Sequence, residues 1–182
     1  MMRQMMNNLL KQTRREHSEK QRLLALGFEA IVFLFVLPYA LIRLGSILDQ
    51  WLGFSAILPQ PIRVILGGFL VLGSWLFAIW SIYVQFTIGR GTPVPLIATQ
   101  KLIIQPPYAY CRNPMALGVI GMYLGFALLF GSVGALILVL LGAGCLLTYI
   151  KLFEEKEMEL RFGQEYLAYR KRTQFLFPRF WI

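Results

Sequence analysis

The stretch from residue 115 to residue 150, MALGVIGMYLGFALLFGSVGALILVLLGAGCLLTYI, decides the fold of this chain. Its 36 residues include no Asp, Glu, Lys, Arg or His. A single helix of that length would extend about 54 Å, whereas a bilayer core is only about 30 Å thick. A reversal near Phe130–Gly134 leaves two arms of about 27 Å, each just long enough to cross. The stretch is therefore predicted to form two membrane-spanning helices joined as a hairpin.

Composition and two further apolar runs extend this interpretation to the whole chain. Of the 182 residues, 57% are apolar and 15% charged, with a mean hydropathy of +0.60, whereas soluble domains are about 25% charged. Leu23–Ile42 is interrupted only by Glu29, and Val64–Ile88 carries no charge. We therefore predict an all-α polytopic membrane protein with about four transmembrane helices, near residues 23–47, 63–88, 114–130 and 133–151.

The positions of Lys and Arg predict the orientation of these helices. Sixteen of the 18 basic residues fall before the first span, between the second and third, or after the fourth. Because cytoplasmic loops are enriched in Lys and Arg, both termini are expected in the cytoplasm, as for a protein of a bacterial inner membrane. Topology and attraction to anionic lipid explain the net charge of +9, and no nucleic-acid partner is expected.

These spans divide a single membrane domain, residues 1–182, into five parts. They are a cytoplasmic N-terminal segment (1–22), two spans (23–88), a cytoplasmic loop (89–113), the helical hairpin (114–151) and a cytoplasmic segment with amphipathic helices (152–182). The first part is either a short helix on the membrane surface or a frayed tail.

Residues within the spans raise three further expectations. Gly121 and Gly125 allow close helix approach, and we expect them to hold the hairpin shut. Glu29 is an acid within the first span and hence a candidate functional residue, although snorkelling to the cytoplasmic face explains it equally well. The chain has one histidine and two cysteines, Cys111 and Cys145, which are too few for a zinc or di-iron site, so no metal is expected.

Two polar segments flank the hairpin and are predicted to meet at one membrane face. The first, Tyr108–Met115, reads YAYCRNPM. Asn113 and Pro114 are residue types favoured at the N-cap and first position of a helix, so they are expected to begin the third span. The helix N-terminus and the Arg112 guanidinium offer a seat for a carboxylate or phosphate, although capping and membrane orientation explain these residues nearly as well.

The second polar segment, residues 153–169, reads FEEKEMELRFGQEYLAY. Glu154 and Glu155 lie at the predicted membrane edge, where adjacent acids are costly unless they meet a cation. A solvated charged face on the exit helix is an equally good explanation of these acids. Gly163 is expected to end that helix, and a second helix is expected to begin at Gln164.

Together these segments resemble the superfamily of isoprenylcysteine carboxyl methyltransferases and phospholipid N-methyltransferases, which are integral membrane enzymes that use S-adenosylmethionine. The resemblance rests on Tyr108–Pro114, the adjacent pair at residues 154–155 and Phe162–Tyr169, and it covers roughly residues 86–180. Gly89-Arg-Gly91 is similar to the Gly-x-Gly element of phospholipid methyltransferases. The chain departs from the pattern at Pro106, Asn113 and Ala116, where Gly, His and Tyr are usual.

The resemblance implies S-adenosyl-L-methionine as the cofactor and a lipophilic acceptor, either a prenylcysteine-like carboxylate or a lipid amine. It implies that Arg112 and Glu155 are catalytic and grip opposite ends of the cofactor, with Glu155 as the base for an amine acceptor. The implied cofactor-binding residues are Gly89, Gly91, Tyr108, Tyr110, Arg112, Asn113, Pro114, Glu154, Glu155 and Tyr166.

Two other classes of protein stay open on the sequence alone. A membrane reductase of the steroid-reductase type resembles this group in its C-terminal half and uses NADPH, for whose 2′-phosphate Arg90, Lys101 and Arg112 are available. A non-catalytic membrane protein that keeps the fold is the other. Binding of S-adenosylhomocysteine or of NADPH distinguishes all three classes.

Overall fold

A computed structural model describes residues 18–56, 58–92 and 99–179, and this part of the chain is helical without strands. The all-α fold is therefore confirmed. The surface helix expected in residues 1–22 falls mostly outside the described residues. The α-helices are α1 (Glu19–Ile31), α2 (Leu37–Leu52), α3 (Gln60–Thr87), α4 (Pro114–Phe130), α5 (Val133–Tyr149) and α6 (Glu155–Arg172). Two π-helical turns, Val32–Val36 and Ile150–Glu154, join α1 to α2 and α5 to α6.

Three continuous helical rods in the described chain are long and apolar enough to cross a membrane. They run over Glu19–Leu52, Gln60–Thr87 and Val133–Arg172. The fourth apolar helix, α4, has 17 residues and extends about 26 Å, just short of a bilayer core. The described part of the chain thus has three to four helices able to span a membrane. Helices α3, α4 and α5 match the predicted spans to within about a turn, whereas the first rod extends beyond its predicted span, 23–47, at both ends and the last rod continues past residue 151 to Arg172.

The helix ends follow from the local sequence. The hydroxyl of Ser18 accepts from the Gln21 N–H, and the Gln21 side chain accepts from the Ser18 N–H, so a reciprocal capping box begins α1. Gly53 and Gly131 follow α2 and α4 in the left-handed conformation, which glycine adopts without a steric penalty. Gly163 has φ 52° and ψ −127°, so it interrupts α6 where the sequence predicts a helix end.

The π-helical turn in the first rod has an identifiable cause. Pro38 has no backbone N–H, so it cannot continue the α-helical hydrogen bonds of the preceding turn. The hydroxyl of Tyr123 in α4 donates to Phe33 O at 2.9 Å and satisfies a carbonyl of the widened turn. This hydrogen bond ties the first rod to the hairpin inside the bundle.

The most extensive helix packing lies between α3 and α4, along a row of small residues. A Cβ built on Gly125 would lie 2.8 Å from Val71 N, and one on Gly121 would collide with the hydroxyl of Ser74. Because those partners belong to α3, the expectation that Gly121 and Gly125 hold the hairpin shut is wrong. The glycine spacing indicates close approach but does not select the partner helix, since each apolar helix offers a similar surface.

The bundle has two ends. The hairpin end comprises residues 49–56, 58–63 and 130–135, around the turn between α4 and α5. The motif end comprises residues 85–92, 99–115 and 153–179, which include both polar segments of the sequence. The two ends are separated by the apolar length of the helices.

Polar side chains at the hairpin end form hydrogen bonds with backbone groups at helix termini. Asp49 Oδ1 accepts from the Gly134 N–H at 2.6 Å, and the Ser132 hydroxyl caps the same helix, α5, at 2.9 Å. Arg63 Nη1 donates to Phe130 O, in the last turn of α4, at 3.3 Å. These groups supply partners to backbone N–H and C=O groups that a helix end leaves unpaired.

Candidate functional site

The chain after α6 lies alongside the loop that leads into α4, and the two polar segments meet there. Arg112 N donates to Gln174 O at 2.8 Å, and Arg179 N donates to Tyr110 O at 3.0 Å. A parallel bridge pairs Cys111 with Gln174. The two polar segments themselves meet through side chains, since the Arg112 guanidinium binds Glu155 and the Tyr169 hydroxyl donates to Tyr108 O.

Asn113 is the N-cap residue of α4, as predicted, but its side chain does not cap the helix in the described structure. Its Nδ2 donates to Phe175 O at 2.9 Å instead. Pro114 begins the helix as predicted and is fully buried. The side chain of Asn113 therefore joins α4 to the C-terminal segment and does not cap the helix.

Arg112 stands at the centre of this junction. Its Nη2 lies 2.6 Å from Glu155 Oε1, and its Nε donates to the same oxygen at 3.0 Å. Its Nη1 donates to Arg170 O at 3.0 Å and to Thr173 O at 2.6 Å. The side chains of Arg112 and Glu155 are only 9% and 7% exposed. Such a buried pair is tolerated because charge-assisted hydrogen bonds within the protein replace the hydrogen bonds to water that burial removes.

This geometry differs from the arrangement that the resemblance implies, in which Arg112 and Glu155 hold opposite ends of one cofactor. In the structure the two side chains hold each other. The second carboxylate oxygen of Glu155, Oε2, faces Lys151 Nζ at 3.6 Å, and Lys151 lies 4.9 Å from the centre of the Phe175 ring. The roles of Arg112 and Glu155 toward a cofactor stay a prediction.

Tyr108 is anchored through both its side chain and its backbone. Its hydroxyl donates to Gln85 Oε1 at 2.9 Å, and the Tyr169 hydroxyl donates to Tyr108 O at 2.7 Å. Gln85 Nε2 donates in turn to Thr92 O at 2.8 Å. Burial raises the pKa of the Tyr108 hydroxyl well above its usual range, so the group stays a protonated donor at neutral pH.

The other aromatic and acidic residues predicted for the site surround this junction. Tyr110 packs edge-on against Trp80, with ring centres 6.2 Å apart. Tyr166 is buried, and the Arg170 guanidinium lies 6.0 Å from the centre of its ring. Glu154 is half-buried in the π-helical turn that precedes α6. The structure thus places aromatic and charged groups side by side, and their binding of a cofactor stays a prediction.

The Gly-Arg-Gly element forms a tight turn between α3 and the polar loop. Gly89 and Gly91 are buried, and Gln100 N donates to Gly89 O at 2.6 Å. A Cβ on Gly89 would lie 2.7 Å from the side chain of Ile103. Arg90 has φ 54°, a left-handed conformation that is uncommon outside glycine. The glycine at position 89 is therefore explained by the close approach of Ile103, which leaves no room for a Cβ.

Three residues that hold the site together are missed by the sequence analysis: Gln85, Thr92 and Thr173. Gln85 is the one amide side chain between residues 64 and 88, and a polar side chain in an apolar run is a signal that identifies it. Thr173 contributes its backbone carbonyl, which carries no sequence signal. Among the residues that the structure describes, no group of three or more His, Cys, Asp or Glu side chains is placed to hold a metal ion.

The apolar helices and the junction of two polar motifs define a class of membrane protein, and comparison with known families identifies which class it is. Residues 62–165, more than half of the chain, match the family model described as phospholipid methyltransferase. The chain therefore belongs to the phospholipid methyltransferase family, within the expected superfamily of integral membrane methyltransferases. The match begins in α3 and leaves out the first rod. Comparison with curated proteins finds none that matches this chain.

Proposed function

We propose that the protein transfers a methyl group from S-adenosyl-L-methionine to a lipophilic acceptor at the cytoplasmic face of the membrane. The observation that supports this most directly is the buried Arg112–Glu155 pair, which joins the two polar segments inside the part of the chain that matches the family. A polar cofactor arrives from water and a lipophilic acceptor from the bilayer. The edge of a membrane is where one site is open to both.

The residues at the motif end suit this cofactor chemically. When bound, S-adenosylmethionine supplies an electrophilic methyl group on a sulfonium, together with an ammonium, a carboxylate and ribose hydroxyls. The carboxylates of Glu154 and Glu155 are matched to its cations or hydroxyls, and Arg112 is matched to its carboxylate. The Gly89–Gly91 turn and the tyrosines at 108, 110 and 166 complete the proposed cofactor site.

The task of the chain in such a reaction is to position two reactants and exclude water, because methyl transfer is an in-line displacement at carbon. We propose that Arg112 and Glu155 act as one unit. The guanidinium fixes Oε1 of Glu155 and leaves Oε2, which faces Lys151, to turn toward a ligand. A carboxylate acceptor needs no base, whereas an amine acceptor has to lose a proton, for which Glu155 is the proposed base.

Cofactor binding in detergent tests the proposal. Isothermal titration with S-adenosylmethionine and S-adenosylhomocysteine is expected to show binding, and titration with NADPH is expected to show none. At 100 times its dissociation constant, S-adenosylhomocysteine is expected to raise the free energy of unfolding by about 2.7 kcal/mol. Binding of NADPH without binding of S-adenosylhomocysteine would overturn the proposal in favour of a reductase.

A second experiment distinguishes the two acceptor classes. The protein in vesicles is given methyl-labelled S-adenosylmethionine together with either an amine-headgroup lipid or a prenylated cysteine with a free carboxyl group. Label that base treatment releases as methanol marks a methyl ester, and label that resists base marks an N-methyl group. Glu155→Gln is expected to abolish amine methylation more severely than ester formation, because only the amine needs a base.

A further inference from the structure

Glu29, the acid within the first rod, is turned into the protein and does not snorkel toward water. Glu29 is only 4% exposed, and its Oε1 accepts from the hydroxyl of Thr92 at 2.9 Å. Thr92 is 1% exposed and ends the turn that begins at Gly89. The first rod is thereby hydrogen-bonded to the Gly-Arg-Gly element of the proposed cofactor site.

This contact is one end of a continuous series of hydrogen bonds. Thr92 O accepts from Gln85 Nε2 at 2.8 Å, and Gln85 Oε1 accepts from the Tyr108 hydroxyl at 2.9 Å. Tyr108 O accepts from the Tyr169 hydroxyl at 2.7 Å. The series therefore connects Glu29 in the first rod, through the turn, α3 and the Tyr108 segment, to α6.

A second contact docks the first rod at the same place. Arg22 Nη2 donates to Phe86 O, and the Arg22 guanidinium lies 4.1 Å from the centre of the Phe86 ring. Phe86 belongs to the last turn of α3, three residues before Gly89. An ionisable side chain inside a membrane span is costly, and such residues usually mark functional positions. An apolar residue at position 29 would pack against the neighbouring helices equally well, so helix packing does not explain the glutamate.

We propose that Glu29 is a positioning residue, which acts through Thr92 to hold the Gly89–Thr92 turn in the geometry that the cofactor site requires. The inference rests on the proposed function, because it takes this turn to border the cofactor. It gives the first rod, which lies outside the matched residues 62–165, a part in cofactor binding. Glu29 contacts Thr92, and the proposed action of Glu29 on the ligand passes through this contact.

Four variants of the full chain in detergent test this inference. Glu29→Leu removes the acceptor oxygen, Thr92→Val removes the donor hydroxyl, and Glu29→Gln keeps an oxygen that accepts from Thr92. Glu19→Leu is the matched control, because Glu19 is an exposed acid of the same helix. The dissociation constant of S-adenosylhomocysteine is expected to rise about tenfold in Glu29→Leu and in Thr92→Val, as for loss of one hydrogen bond to a charged group.

The conservative variant and the double variant sharpen the test. Glu29→Gln and Glu19→Leu are expected to bind S-adenosylhomocysteine within about twofold of the parent. The double variant Glu29→Leu/Thr92→Val is expected to be no weaker than either single variant, because both changes remove the same hydrogen bond. Additive losses in the double variant would overturn the claim that Glu29 acts through Thr92.

Two structural measurements separate positioning from a general loss of fold. Hydrogen exchange of amides in residues 88–92 is expected to become faster in Glu29→Leu. The midpoint of thermal unfolding is expected to stay the same or rise, because the variant no longer buries a carboxyl group within the membrane span. A lower midpoint with faster exchange throughout the chain would overturn the inference. Unchanged exchange in residues 88–92 would overturn it as well.

Failure of the inference and failure of the proposed function give different results. If the parent binds S-adenosylhomocysteine and both Glu29→Leu and Thr92→Val bind it equally well, the positioning role is overturned and the proposed function stands. If the parent binds no S-adenosylhomocysteine, the proposed function fails and the inference fails with it.

Discussion

At the hairpin end of the bundle, Asp49, Arg63 and Ser132 each bond to a backbone group at a helix terminus, whereas at the motif end the Arg112 guanidinium binds the side-chain carboxylate of Glu155. Arg112 and Glu155 are 43 residues apart in sequence and nearly buried. Helix termination accounts for the polar groups of the first end. The second end buries more polar and charged groups than its helix termini require, and such an excess indicates a site.

The sharpest test of this comparison is whether the two ends lie on opposite faces of a membrane. Single cysteines at Gln50 and Lys171, which are both exposed, are introduced after Cys111 and Cys145 have been replaced by serine. Because the motif end carries nine Lys and Arg residues and the hairpin end only Arg63, we expect a membrane-impermeant maleimide to label the two positions from opposite sides, with Lys171 cytoplasmic. Labelling of both positions from one side would rule out the predicted topology.

The next largest effect is expected from the Arg112–Glu155 pair. Arg112→Met leaves the Glu155 carboxylate buried without its closest partner, which typically costs about 3–5 kcal/mol of stability. Denaturant unfolding in detergent measures this loss, and Arg172→Met, at an exposed position of α6, is the control.

The double variant Arg112→Met/Glu155→Leu is expected to recover part of the stability, because neither charge is then left unpaired. Unfolding of Arg112→Met at the same denaturant concentration as the parent would mean that the pair does not join the two segments.

Cys111 reports on the packing of the motif end through its reactivity. The thiol is fully buried, and burial raises its pKa to about 11. In a Cys145→Ser background at pH 8, we expect alkylation roughly a hundredfold slower than for an ordinary thiol, since only the thiolate reacts.

The pH profile of this reaction gives a second measurement. As pH rises from 7 to 10, the alkylation rate of the folded protein should keep rising, because the thiolate fraction grows until the pH passes the raised pKa. The unfolded protein should level off near pH 9. A plateau near pH 9 in the folded protein would contradict the buried environment of Cys111.

The smallest effect is expected at the hairpin end. Asp49→Ala removes the acceptor of the Gly134 N–H and should lower stability by about 0.5–2 kcal/mol, the usual cost of a lost helix cap. Asp49→Asn keeps an acceptor oxygen and serves as the control. The affinity for S-adenosylhomocysteine should be the same in both variants. A weaker affinity in Asp49→Ala alone would show that the two ends are not independent.

Local patterns in the sequence predict the helices of this protein well, because the length of a charge-free run and the residues at its ends belong to one segment of the chain. Pro114 and Gly131 bound α4 where the sequence predicts, and Gly163 breaks α6. The partners of Gly121 and of Asn113 are predicted incorrectly. Both errors concern which distant segment a residue meets, and residue spacing carries no information about that choice.

The sequence by itself determined that the chain is an all-helical membrane protein whose two polar segments meet, since the apolar hairpin between them has the length to cross a bilayer and return. Only the tertiary structure decided that Arg112 binds Glu155 together with backbone carbonyls at the C-terminal end of α6, and that Glu29 faces Thr92. The physical reason is that a buried charge bonds to the acceptors or donors that folding brings within reach. Every residue has a backbone carbonyl, so the sequence does not show which carbonyls these are.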